Sequence, residues 1–230
     1  MRLTLIDHMI WRMIAPTCLK ELAAKRPEWD IRAVRREAKR WFKRIVRETP
    51  SIGSIRQNPM RLQLNGASVW FAMYEAAHVL YADSMDLPLY EAMCIASFSS
   101  PAMLGRFTKT DMFSQQAMAR RDAMAAKVNA IDAEYNWQQQ NIRGQTPDEY
   151  TLIYTKCGIC KLAGRLGREY LLPPMCRADY ILMEAAGVCL HRDRTIAHGD
   201  DCCYYYCTRK GSEAEHRWQE AHPEGTFVEL

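Results

Sequence analysis

A change of hydrophobic period near residue 131 constrains this chain of 230 residues more than any other feature. Up to residue 130, apolar side chains recur at helical spacing between strong stop signals. Pro27 opens a helix over 31–48, which Thr49-Pro50-Ser51-Ile52-Gly53 ends. Asn58-Pro59 and Asn65-Gly66 mark a loop, and helices follow over 67–82, from the cap Asp86-Leu87-Pro88 to 98, and from Thr110-Asp111 to 130. Residues 131–138 then alternate with a period of two and read as a strand. After the turn signal Arg143-Gly144-Gln145-Thr146-Pro147-Asp148, residues 149–155 read as its partner. Helical stretches over 158–168 and 174–186 precede strands over 188–197 and 202–208, which flank the turn His198-Gly199-Asp200-Asp201. The expectation is an α+β fold: a helical region, 1–130, packed as one domain with a small antiparallel sheet in ββ-αα-ββ order, 131–210. Residues 211–230 read as a polar tail ending Phe227-Val228-Glu229-Leu230.

With 48% hydrophobic residues, a chain of this length buries about two-thirds of its unfolded surface. Asp7 and Arg12 interrupt the first apolar run, leaving neither a signal peptide's core nor the roughly 20 apolar residues of a membrane span. Nine cysteines are an odd number and Cys202 and Cys203 are adjacent, so reduced thiols in a cytoplasmic protein are expected. Residues 1–60 carry fourteen Lys and Arg against six Asp and Glu, and eight of the basic residues lie within 31–48, opposite an apolar stripe. No helix-turn-helix pattern accompanies them, and the helix reads as a solvated face over a core stripe; neither nucleic acid nor membrane is expected as a partner. Met60, Met73, Met85, Met93, Met103, Met112, Met118 and Met124 read as core, as do Cys18, Cys94 and Cys189.

Seven cysteines crowd into 157–207 beside Asp, Arg, His and Gly. Cys157 stands where a strand hands over to a helix, and Cys176 follows Pro173-Pro174 at another helix start. Unpaired N–H groups at both positions favour a thiolate, giving two candidate nucleophiles. Asp179 shares the helical face of Cys176 and suits a cationic amidine-like group, while Arg194 is placed to neutralise this carboxylate or to clamp a substrate carboxylate. His198 is a candidate general base. His78 is placed to line a pocket between helices and sheet, and Tyr205 to shape it.

These residues resemble the L-2-amino-thiazoline-4-carboxylic acid hydrolase family. Cys157, the stretch Leu166-Gly167-Arg168-Glu169-Tyr170-Leu171, Cys176 to Asp179, Arg194-Thr195 with Gly199, and Cys203 match its succession of motifs over 150–208. Where the family closes with Cys-Asp-Phe, this chain has Cys203-Tyr204-Tyr205. The resemblance implies a cofactor-free hydrolase that opens a cyclic amidine or isothiourea ring on a small substrate. In that scheme Cys176 adds to the carbon between the heteroatoms, Asp179 holds the amidinium, Arg194 binds the carboxylate, Gly199 is a further substrate-binding residue, and Cys157 or Cys203 assists. A homodimer is admitted.

Other readings stay open on the residues alone. Cys157, Cys160, Cys176 and Cys203 could serve as four zinc ligands. Strand, Cys157-Gly158-Ile159-Cys160, helix is similar to a thioredoxin-like placement, although no βαβ pattern follows. The order of elements is also similar to vinyl-reductase-type sensory domains, which would make the chain a non-catalytic module binding a small ligand.

Overall fold

Side chains that accept backbone N–H groups set where the helices start. In the computed structural model, which describes residues 1–105, 107–108 and 111–223, helix α1 (Leu5–Lys25) is followed by α2 (Ile31–Glu48), where Asp30 accepts from Arg32 and Ala33. Then come α3 (Arg61–Tyr81), α4 (Leu87–Phe98) capped by Asp86, the short α5 (Pro101–Leu104), and α6 (Gln115–Asn129) capped by Ser114. Strands β1 (Gln138–Arg143) and β2 (Glu149–Lys156) lead to α7 (Gly158–Leu166) and α8 (Leu172–Ala185). Strands β3 (Val188–Arg194) and β4 (Cys203–Arg209) and helix α9 (Glu213–Ala221) complete the described chain.

The α+β order stands, with four local differences. Helix α3 runs through Asn65-Gly66, expected to be a loop. Asn65 donates to the fully buried carboxylate of Asp7, with Arg61 at 3.4 Å. That tertiary pairing outweighs two poor helix formers. The first strand begins at Gln138, because 131–137 form an anchored loop. Asn136 donates to the carbonyls of Val128 and Ile131 and accepts from Asn58, while Tyr135 and Trp137 are buried, so the alternation marks burial without a ladder. Helix α6 starts at Gln115; Thr110 lies outside the described residues. The expected polar tail contains α9, whose Trp218 stacks on His191 at 3.6 Å; Phe227 to Leu230 lie outside the described residues.

The four strands are ordered β1-β2-β4-β3, each antiparallel to its neighbour. On the inner face Tyr150, Leu152, Val188, Leu190, Cys203, Tyr205 and Cys207 gather with Phe113 and Met118, and Tyr180 and Met183 of α8 pack against them. Helix α8 also packs on α4, tying the sheet to the helices. The core methionines behave as expected: Met60, Met73, Met85, Met93 and Met118 are buried and the other three half-buried. Cys18 and Cys94 are buried, but Cys189 is half-buried on the outer face, where its thiol donates to Glu215 of α9 at 2.8 Å. No helix among the described residues is long and apolar enough to cross a membrane.

His191 lies beneath Trp218 and bonds Thr208 at 2.9 Å. Burial lowers its pKa from 6.5 to about 4, against the pull of Glu215 and with the repulsion of His222. The folded state therefore binds fewer protons than the unfolded one between these values. Stability should be full above pH 6.5 and fall as pH drops toward 4. His191→Phe, which keeps a ring under Trp218, should flatten that segment of a denaturation-versus-pH curve.

Candidate active site

Cys157 is held by what surrounds the residue after it. Strand β2 ends at Lys156 and α7 begins at Gly158, leaving Cys157 as N-cap with extended backbone (φ −127°, ψ 116°). A Cβ on Gly158 would lie 2.1 Å from the Tyr135 carbonyl oxygen and 2.7 Å from the Trp137 ring, so the helix start is pressed against the 131–137 loop. Cys160 is the third residue of α7, on the same turn as the N-cap Cys157. Hydrogen bonding toward the Cys160 thiol lowers the Cys157 pKa; burial opposes this, and the N–H groups of Cys160 and Ile159 reinforce it. Bonding to Cys157 and burial drive the Cys160 pKa the other way.

The two helix-start thiols are not equivalent. Cys176 is the fifth residue of α8, past the unpaired N–H groups of the first turn. Burial, then the charge of Asp179, raise its pKa, and Arg192 offsets only part. Cys203 opens β4 opposite Tyr154 and accepts from Ile196 N at 3.4 Å; burial still pushes it up to about 12.

A bulge in β3 decides which arginine meets Asp179. His191 pairs with Tyr206 but Arg194 with Tyr204, three residues against two, so inward and outward positions exchange within the bulge. Arg192 turns inward and is 0% exposed. Its Nη1 donates to Asp179 Oδ2 at 3.0 Å and to the Tyr205 hydroxyl at 3.1 Å, and its Nη2 to the Cys176 carbonyl at 3.0 Å. The guanidinium lies 4.8 Å from the Tyr180 ring centre and 5.0 Å from that of Tyr205. Tyr205 O–H also donates to Asp179 Oδ2, at 2.8 Å. The expectation that Arg194 neutralises Asp179 is corrected: Arg194 lies outside, 5.2 Å from the Tyr204 ring centre and near Asp193 and Asp201. Sequence reasoning passed over Arg192, although Val188 and Leu190 put it in phase with buried positions.

The remaining candidates divide. Tyr205 donates to Asp179, whose charge adds to burial in raising the pKa of Tyr154, Cys176 and Cys203 and works against the lowering at Cys157. His198 is exposed at the end of a single 3-10 turn that Gly199 closes at φ 94°. That turn aims Ile196 N–H at Cys203 and leaves the His198 ring outside. His78 stacks on Tyr74 at 5.8 Å, among the helices. A cleft of about 640 Å³ opens at Cys157 and Cys160, rimmed by Lys156, Lys161 and Arg165 as well as Glu134 and Glu169. Among the described residues no group of three or more Cys, His, Asp or Glu side chains stands where it could hold a metal ion.

The family model for L-2-amino-thiazoline-4-carboxylic acid hydrolase matches residues 69–206, from within α3 to β4. The chain belongs to this family. No curated protein and no solved structure matches. The match carries this hydrolase-family assignment beyond the cysteine region into the helical half that supports it.

Gly158→Ala should force the start of α7 away from Tyr135, costing about 1–3 kcal/mol of stability in urea unfolding. It should also slow alkylation of Cys157, because the thiol would leave its N–H donors.

Proposed function

We propose that this family member hydrolyses a small cyclic amidine or isothiourea bearing a carboxylate, of the 2-amino-thiazoline-4-carboxylate kind, with Cys157 as nucleophile. The observation that carries this reading is the place of Cys157, at the N-cap of α7 on the wall of the cleft; in keeping with it, the pKa of Cys157 is lowered whereas those of the other eight cysteines are raised. A thiolate is the attacking form, and this thiol opens on a cleft.

The chemistry follows from the ring. Its carbon, bonded to two nitrogens and a sulfur, becomes electrophilic once the amidine is protonated. Asp179 is the acceptor for that cation: Arg192 and Tyr205 hold Oδ2, and its side chain keeps 38% exposure. The Cys157 thiolate adds to the carbon, the ring C–S bond breaks, and the ring sulfur takes a proton to leave as a thiol. Water then adds to the same carbon and expels the Cys157 thiolate, leaving a ureido product in which water's oxygen is the carbonyl. Cys176 and Cys203, protonated at neutral pH by burial, serve as walls and proton-bearing neighbours. Lys156, Lys161 and Arg165 give the carboxylate a cationic rim at the mouth.

With 2-amino-thiazoline-4-carboxylate as substrate, Cys157→Ser should lower kcat on the order of a thousandfold or more, whereas Cys176→Ser should stay within about tenfold. A Cys157→Ser protein that keeps the wild-type rate would sink the scheme. Asp179→Asn should raise KM for the protonated ring.

The pH dependence has a defined sign. Cys160 favours the Cys157 thiolate by donating to it, so Cys160→Ala should move the midpoint of Cys157 alkylation to higher pH. Iodoacetamide kinetics followed by peptide mass would read this directly.

A further inference from the structure

We propose that Cys157 and Cys160 form a peroxide-sensitive pair that closes to a disulfide and switches the nucleophile off. The inference rests on Cys157 being the reactive thiol of the cleft, as in the reading above, and adds a modification that hydrolysis does not require.

Three observations carry it. First, N-cap and third helical residue is the geometry in which two side chains meet at a helix start, and residues three apart there have Cβ atoms about 5–6 Å apart. A disulfide asks for little more approach than this. Both thiols stand free on one turn at the start of α7, so the S–S bond would close a loop of only four residues, 157–160. Second, both sulfurs line the same open cleft, whereas Cys18, Cys94 and Cys207 are buried in the core. A small oxidant therefore reaches this pair. Third, Cys160 has no other role of its own that bonding would disturb: it stands on the first turn of α7 between Ile159 and the exposed Lys161 and packs only partly against the core.

The step balances with a hydroperoxide as oxidant. The Cys157 thiolate attacks the terminal peroxide oxygen, the O–O bond breaks, and a sulfenic acid and, after protonation, water or an alcohol are formed. The Cys160 thiol then displaces the sulfenic oxygen from Cys157 as water, forming the S–S bond. Two electrons pass from the two thiols to the peroxide, and a dithiol reductant reverses the reaction. Without Cys160, the sulfenic acid would remain open to further oxygen addition.

The test needs no turnover. Native protein is treated with stoichiometric hydrogen peroxide, free thiols are alkylated, and tryptic peptides are weighed. Cleavage after Lys156 and Lys161 releases both cysteines in one peptide, residues 157–161. The expected result is that this peptide escapes alkylation, is two hydrogen atoms lighter, and becomes alkylatable again after dithiothreitol. In Cys160→Ser the same peptide should instead gain two or three oxygens on Cys157. The proposal is overturned if peptide 157–161 stays reduced while another cysteine oxidises, or if Cys157 is found bonded to Cys176 or Cys203. Hydrolysis assayed alongside keeps the two readings apart: a disulfide formed in a protein without hydrolase activity refutes only the hydrolase reading, and activity that persists in peroxide with no disulfide refutes only this one.

Discussion

A guanidinium that has lost all contact with water must be matched by protein, because its charge is not given up at any ordinary pH and burying it unpaired costs several kcal/mol. Arg192 is in that position, and the structure around it is arranged accordingly. Asp179 and the Cys176 carbonyl bring α8 to it, Tyr205 brings β4, and the rings of Tyr180 and Tyr205 cover its faces. One side chain from β3 thus fixes how the sheet meets the helix that carries Asp179. The bulge that turns Arg194 outward belongs to the same device, since a regular strand would keep Arg192 and Arg194 on one face.

The pairing also decides what each thiol can do. Arg192 holds a carboxylate near Cys157, Cys176 and Cys203, and the nearby negative charge discourages a second one. Cys176, three residues from Asp179 and beyond the first turn of α8, remains protonated. Cys157 faces the same charge but has Cys160 and two helix N–H groups to spread its own. A cation-binding carboxylate and a thiolate thus coexist because separate elements stabilise them, β3 and β4 for one and the start of α7 for the other. Burial raises Cys157's pKa as it does that of its neighbours, and it is local hydrogen bonding that reverses the sign.

Local features were legible in the sequence where one residue type has one physical use. Asp86 as a cap, the β2 to α7 junction at Cys157, the ββ-αα-ββ order and the hydrolase family could all be read from the chain. The failures share a cause: pairing with distant residues decided the outcome. Asn65-Gly66 stays helical because Asp7 holds Asn65, and the alternation over 131–137 reflects Asn136 and two aromatics sinking into a loop. Arg194 was preferred to Arg192 because a bulge leaves no mark in an alternating pattern. Helix α9 was missed because its polar sequence carries only one large anchor, Trp218, whose partner His191 lies on another strand.

The departure from the family's Cys-Asp-Phe closure changes meaning once the strand has faces. Tyr204 stands where the acidic residue is expected, yet it points outward beside Arg194 and the cleft formed with His191 and Trp218. An aspartate there would meet Arg194 and would stay on the far side of the sheet from Cys157 and Asp179. Tyr205 replaces phenylalanine and points inward, where its hydroxyl donates to Asp179 and accepts from Arg192. The substitution that reaches the site is therefore the apparently conservative one. A phenyl ring would preserve the packing over Arg192 but leave Asp179 Oδ2 with one donor fewer, freeing that oxygen for the ligand. The hydroxyl takes up part of the carboxylate's accepting capacity, so discrimination among cationic rings in this chain should depend more on Tyr205 than on the missing acid.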